Sequence, residues 1–213
     1  MKLVTIVLVI LFIQPSYSAS SPIRPISTKS EHIYGALNAP VSIIMYSDFS
    51  CPYCKKLRLT LKKFVNQSSG QVNWVYRHFP LENNSLGYLQ QANAIECSGK
   101  MYGNESFWAL TQNLFNLPNN TPENAQQFIT LAAQKSNLNS KELMLCINSN
   151  KYQPLIEQDQ KEAKELGLTG TPGVVFVNNK NNKIIVKQGA LNYANLTKFS
   201  RAVVNSPSDD KLK

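Results

Sequence analysis

Val41-Ser42-Ile43-Ile44-Met45-Tyr46-Ser47-Asp48-Phe49-Ser50-Cys51-Pro52-Tyr53-Cys54 is the stretch from which the rest of the chain can be read. Val41 to Tyr46 is a short, β-branched apolar run, the pattern of a buried central strand. Beyond Cys54, Leu57, Leu61, Phe64 and Val65 recur at helical spacing, and Gly70 closes the unit. The two cysteines therefore stand where a strand hands over to a helix. Val72 to Phe79 alternates residue by residue and reads as a second strand, stopped by Pro80. A strand–helix–strand unit demands a parallel pair joined by a crossover.

Further along, Asn83 to Gly167 has a different texture, an all-helical block of about four or five helices. Asn104 is a candidate cap for a helix holding Phe107, Trp108, Leu110, Leu114 and Phe115. Thr121-Pro122-Glu123 is a second helix start, with a hydroxyl, a first-turn proline and an acid at the positive end of the dipole. Ser140 is a candidate cap for the next helix, through Leu143 and Ile147. Pro154 to Leu166 forms the last helix of the block, ended by Gly167. Strand character returns at Val174 to Val177, and a polar turn from Asn178 to Lys183 leads to Ile184-Ile185-Val186, so this pair reads as an antiparallel hairpin. Tyr193, Leu196, Phe199 and Val203 line one face of a final helix. The expected architecture is α/β: a mixed central sheet flanked by helices, with an inserted all-helical domain.

Toward the N-terminus, Lys2 precedes an almost unbroken apolar run from Leu3 to Ile13, and small residues follow at Ser16, Ser18 and Ala19. That layout is a secretory signal peptide, expected to be cleaved after Ser18; an uncleaved anchor is the competing reading. The apolar run falls short of the ~20 residues that cross a bilayer. Ser20 to Ser30 is rich in Ser and Pro and reads as a leader or linker. The 213-residue chain carries a formal net charge of +9, but its lysines are dispersed and no basic run is interleaved with aromatics. A solvated basic surface follows, and nucleic-acid binding does not.

Four cysteines, Cys51, Cys54, Cys97 and Cys146, fit two disulfides or one metal site. Pro52 suits a first helical turn, where its missing N–H costs nothing. Cys51 then caps the helix, and the unpaired N–H groups and the helix dipole stabilise a thiolate there. The thiolate is the species that attacks a disulfide or leaves from one, and lowering its pKa makes the disulfide a stronger oxidant. Cys54, one turn on, points back as the resolving thiol. Two other readings stand beside this. A structural Cys51–Cys54 disulfide closes a very short loop and stabilises little. A zinc site completed by Cys97 and Cys146, or by His32 and His78, lacks a matching second pair of ligands. Thr169-Gly170-Thr171-Pro172-Gly173 precedes the buried hairpin. Pro172 there is either strand-start punctuation or a cis proline that turns Thr171 toward the cysteines, where its backbone could hold an extended peptide.

Tyr46 to Cys54 and Thr169-Gly170-Thr171-Pro172, in that order and with a helical insertion between them, resemble the DsbA-like thiol oxidoreductases over about Tyr34 to Val204. The resemblance implies a thioredoxin-like fold, with residues 34–83 and 168–205 as the thioredoxin-like domain and 84–167 as the helical insertion. Residues 1–18 are then the signal peptide, 19–33 the leader and 206–213 a flexible tail. It implies Cys51 as nucleophile, Cys54 as resolving cysteine and Pro172 as the cis-proline facing them. Thr171, Pro172, Pro52 and Tyr53 become the substrate-binding residues. Tyr53 departs from the best-known DsbA pattern, which has His there; a neutral Tyr does not donate that charge, and a milder oxidant is expected. No cofactor or metal is needed beyond the redox-active Cys51–Cys54 pair. Cys97 and Cys146 are expected to pair as a structural clamp, as some DsbA-like relatives do, closing a loop of roughly 48 residues; chain entropy gives such a loop roughly 4 kcal/mol. Two free thiols or a second redox pair are the alternatives.

The implied function is a monomeric periplasmic oxidase. It would act on extended or unfolded exported proteins and be reoxidised by a membrane thiol-redox partner. Its rivals are an isomerase or reductase kept reduced, and a non-catalytic chaperone-like module. His78, Trp74, Trp108, Phe107 and Phe115 are read as packing residues.

Overall fold

The computed structural model describes residues 23–81, 86–118 and 122–205. The expected signal peptide, the start of the expected leader and the tail after residue 205 lie outside them, as do Asn83 and Thr121. The sheet has five strands: β1 (Ile33–Tyr34), β2 (Val41–Ser47), β3 (Val72–His78), β4 (Gly173–Asn178) and β5 (Ile184–Gln188), in the order β1-β3-β2-β4-β5. β2 and β3 are parallel and joined by α1 (Pro52–Asn66), the crossover that the strand–helix–strand pattern demands. β1 and β4 are antiparallel to their neighbours, and β4 and β5 form the hairpin. β1 was not expected; at two residues it is too short to leave a periodic signal.

Between β3 and β4 run α2 (Leu86–Tyr102), α3 (Asn104–Asn116), a 3-10 turn (Pro122–Asn124), α4 (Ala125–Lys135), α5 (Ser140–Asn148) and α6 (Gln153–Glu165). The chain closes with α7 (Tyr193–Asn205). β2 is buried on both faces, which is why it reads as a continuous apolar run. Ile43 and Met45 join Leu57 and Leu61 of α1, Leu196 and Val203 of α7, and residues of α2 to α5 in one cluster. Ile44 and Tyr46 point the other way, to a smaller cluster with Val75, Val175, Ala163 of α6 and Ile23. The helical block thus divides. α2 to α5 share the larger core with α1 and α7, while α6 crosses to the opposite face. Trp74 and Trp108 meet at 4.4 Å between ring centroids and Phe49 and Phe115 at 4.6 Å, an aromatic seam between sheet and insertion.

Three local expectations are corrected. Part of the leader, expected as linker over 19–33, is packed from Ile23 onward. Ile23 is buried, the Arg24 amide donates to Glu162 at 2.6 Å, and Arg24 Nη2 pairs with Asp159 at 2.5 Å. Its partners lie more than a hundred residues away, so composition alone reads the segment as open chain. Asn104 is the first residue of α3 rather than its cap; Gly103, at φ +91°, precedes it, and the Asn104 amide reaches across to Ile33 O at 2.8 Å. α5 is capped by Asn139, whose Oδ1 accepts from the Lys141 and Glu142 amides, and Ser140 is its first residue. Gly167, at φ +75°, closes α6 with a Leu168 N to Ala163 O bond of 3.0 Å.

Candidate active site

The site is made where β2 ends. Register along β2 sets Tyr46 opposite Gly173 of β4, so the Thr171-Pro172 turn arrives beside the start of α1. The loop between is shaped by Asp48. Its Oδ1 accepts from Ser50 N at 2.7 Å and Ser50 Oγ at 2.8 Å, its Oδ2 accepts from Leu81 N at 3.0 Å, and its carbonyl accepts from Cys51 N at 3.2 Å. This Asx turn, tied to the end of β3, delivers Cys51 to the helix start. Sequence reading passed over Asp48; the Asp-x-Ser spacing before a helix was the available signal.

Cys51 is the N-cap of α1, with Pro52 behind it, and its Sγ accepts from Cys54 N at 3.4 Å. It is half-buried, whereas Cys54 has no exposed surface; both are free thiols. The Thr171–Pro172 peptide is cis, and Cys51 Sγ lies 3.3 Å from Thr171 O. The structure therefore brings Cys51, Cys54, Thr171 and Pro172 together. Tyr53 stands on the same rim with 63% of its surface exposed.

The two thiols are pushed in opposite directions. Cys51 is lowered to about 6, first by the Cys54 thiol, then by the Thr171 side chain and by the Cys54 and Tyr53 amides, against the cost of burial. Cys54 is raised far above the ordinary thiol range by burial, and further by facing Cys51. At neutral pH the outer sulfur is an anion and the inner one holds its proton.

Cys97 of α2 and Cys146 of α5 form a disulfide with Cα atoms 6.0 Å apart, outside the site. Both of these sulfurs are thereby used in the disulfide. His32 and His78 each meet one oxygen of Glu96, at 3.0 Å and 2.8 Å. Among the described residues no group of three or more His, Cys, Asp or Glu side chains is placed to hold a metal.

The family model described as thioredoxin matches residues 27–199. Pseudomonas aeruginosa DsbA2 superposes with a TM-score of 0.69 at 26% identity, over 89% of this chain and 100% of that one. Disulfide bond formation protein D of Bacillus subtilis is 21% identical over 165 residues, 72% of this chain and 70% of its own length. A protein of Mycolicibacterium gilvum named Na(+)/H(+) antiporter NhaA 1 is 26% identical over 161 residues, 76% of this chain. The chain spans only 25% of that antiporter's length, and no helix among the described residues is long and apolar enough to cross a membrane. The fold, the disposition of Cys51-Pro52-Tyr53-Cys54 against Pro172, and these matches agree: the chain belongs to the thioredoxin family and has the DsbA-like form of it.

Proposed function

We propose that this chain is an exported, periplasmic thiol–disulfide oxidoreductase that promotes disulfide formation in exported proteins. The observation that carries the reading is the opposed ionisation of one pair: Cys51 lowered to about 6 at a helix N-terminus, Cys54 buried and raised. In the oxidised enzyme a client thiolate attacks Cys51 Sγ. The Cys51–Cys54 bond breaks, a client–Cys51 disulfide forms, and the electron pair leaves on Cys54, which takes a proton from water. A second client thiolate then attacks the client sulfur of the mixed disulfide, and Cys51 leaves as a thiolate. The client gains a disulfide and the enzyme ends as a dithiol, to be reoxidised by a membrane thiol-redox partner.

Thr171, Pro172, Pro52 and Tyr53 form the rim against which an extended client segment would lie, with the Thr171 backbone offering strand-like pairing. The enzyme acts as a monomer and needs no cofactor. Its signal segment would carry it to the oxidising compartment in which Cys97–Cys146 persists.

The test is the reduction potential of Cys51–Cys54 against glutathione, with the redox state of the pair trapped in cells. A potential near about −120 mV and a mostly oxidised pair support the oxidase. A mostly reduced pair supports the isomerase or reductase instead, with a potential near about −180 mV for the former and about −270 mV for the latter. Activity that survives Cys51→Ser sinks both and leaves a non-catalytic module.

A further inference from the structure

Disulfide exchange makes a second demand on the site, at Cys54. Each turn of the cycle turns this sulfur into an anion: as leaving group when a client attacks, and as nucleophile when it resolves a mixed disulfide. The atom has no exposed surface and sits in the larger apolar cluster with Met45, Leu57 and Tyr76. An anion there is costly unless something donates to it.

Two hydroxyls lie in that cluster's wall. Along β2, Ile43, Met45 and Ser47 share the face that α1 covers, because side chains alternate. Parallel register sets Tyr76 beside Met45 and His78 beside Ser47. Ser47 is 2% exposed and Tyr76 3% exposed. Neither Ser47 Oγ nor Tyr76 Oη makes a well-formed hydrogen bond in this dithiol structure. Two buried hydroxyls left open are unusual, since such a group normally finds a partner. Ser47 is close enough to both neighbours to favour the anionic form of each, Cys54 and Tyr76, and the Asp48 amide acts on Cys54 in the same sense. Burial holds the Tyr76 phenol far above its usual range, so it stays a donor and never becomes the anion itself.

We infer that Ser47 is a further catalytic residue: its hydroxyl donates a hydrogen bond to Cys54 Sγ whenever that sulfur is an anion, and Tyr76 is a positioning residue that donates in turn to Ser47 Oγ. No proton is lost from either hydroxyl; the proton that Cys54 gains or gives up exchanges with water. The open hydroxyls of the dithiol state are the donors held ready for the charged one. The inference rests on the exchange reaction proposed above.

The experiment isolates the resolving step. The enzyme is loaded with glutathione at Cys51, and the release of glutathione by Cys54 is followed by stopped flow from pH 5 to 9. In Ser47→Ala, release is expected to slow about tenfold or more at every pH of the series, since hydrogen bonds to charged groups are among the stronger ones. Ser47→Thr restores the rate. Tyr76→Phe gives a smaller loss, and its correct folding keeps the test open if Ser47→Ala does not fold. Ionisation of Cys51 is unchanged throughout. Alkylation of Cys54 in a Cys51→Ser background, slower at each pH in the Ser47→Ala double variant, reports the same hydrogen bond without turnover. A pH–rate profile identical in Ser47→Ala and wild type, or identical Cys54 alkylation in the two backgrounds, overturns the inference. A wild-type enzyme that never releases glutathione overturns instead the proposed reaction on which it rests.

Discussion

His78 Nε2 stands 2.8 Å from Oε1 of Glu96, and since an ionised carboxylate only accepts, the ring must carry its proton on that nitrogen. His32 does the same to the other oxygen at 3.0 Å, its ring stacked 3.6 Å from that of Phe107. A carboxylate in the wall between β3 and α2 is thus held by two imidazoles, one at the end of β3 and one just ahead of β1. The paired charges continue on the α6 side. Asp159 accepts from His78 N and Arg24, and the wholly buried Arg77 bonds Glu31, Glu162 and Tyr46.

Glu96 is the acid-sensitive member. Burial alone would raise it, but the two histidines outweigh burial and hold it down to about 2, against an unfolded value of 4.5. A depressed carboxylate contributes stability that is present above pH 4.5 and is lost as pH falls toward 2. The difference corresponds to something on the order of 3 kcal/mol. Glu96→Gln is expected to destabilise the protein at pH 7 by a similar amount and to flatten the fall in stability between pH 5 and 2. Urea unfolding across that range checks it; a variant with the wild-type acid slope would contradict the assignment.

Arg24 fastens the N-terminal segment. Its partner Asp159 is raised to about 6, chiefly by burial, with His78 and Arg24 opposing. A raised carboxylate favours the fold below pH 3.8, and that contribution is lost as pH rises through 6. Arg24→Ala removes the guanidinium that opposes it. Asp159 is then expected to titrate above 6 by NMR, and the thermal midpoint at pH 7 to fall by about 6 °C, equivalent to about 2 kcal/mol in a chain of this size. Limited proteolysis should cut first within residues 23–32. Unchanged cleavage would show that the apolar contact of Ile23 holds the segment without Arg24.

Cys51 reactivity has a definite pH signature. Alkylation of the reduced protein is expected to reach half its maximal rate near pH 6, while Cys54 stays unmodified to well above the ordinary thiol range. Peptide mapping after iodoacetamide treatment reads both. Equal labelling of the two cysteines at pH 7 would contradict the opposed ionisation.

The Cys97–Cys146 disulfide separates stability from activity. It spans 49 residues of sequence and ties α2 to α5. Replacing both cysteines by Ala is expected to cost about 4 kcal/mol through the freed unfolded chain, while the Cys51 alkylation midpoint stays where it was. A shift in that midpoint would place the disulfide in communication with the site.

Much of this was legible in the linear chain, and for local reasons. The β-branched run before Cys51, the helical spacing after Cys54 and the turn residues between β4 and β5 each state their structure within a few neighbours. Because a helix start and a thiol were adjacent in sequence, the chemistry of Cys51 was legible too. Ser47, Asp48, Glu96 and Arg24 were not. Each takes its meaning from residues brought in by register or by packing, such as Leu81 for Asp48, His32 and His78 for Glu96, and Asp159 for Arg24. A polar residue read alone looks like surface. Only the closed fold, by taking water away, decides which of them must find a partner and which are left with a bond still to make.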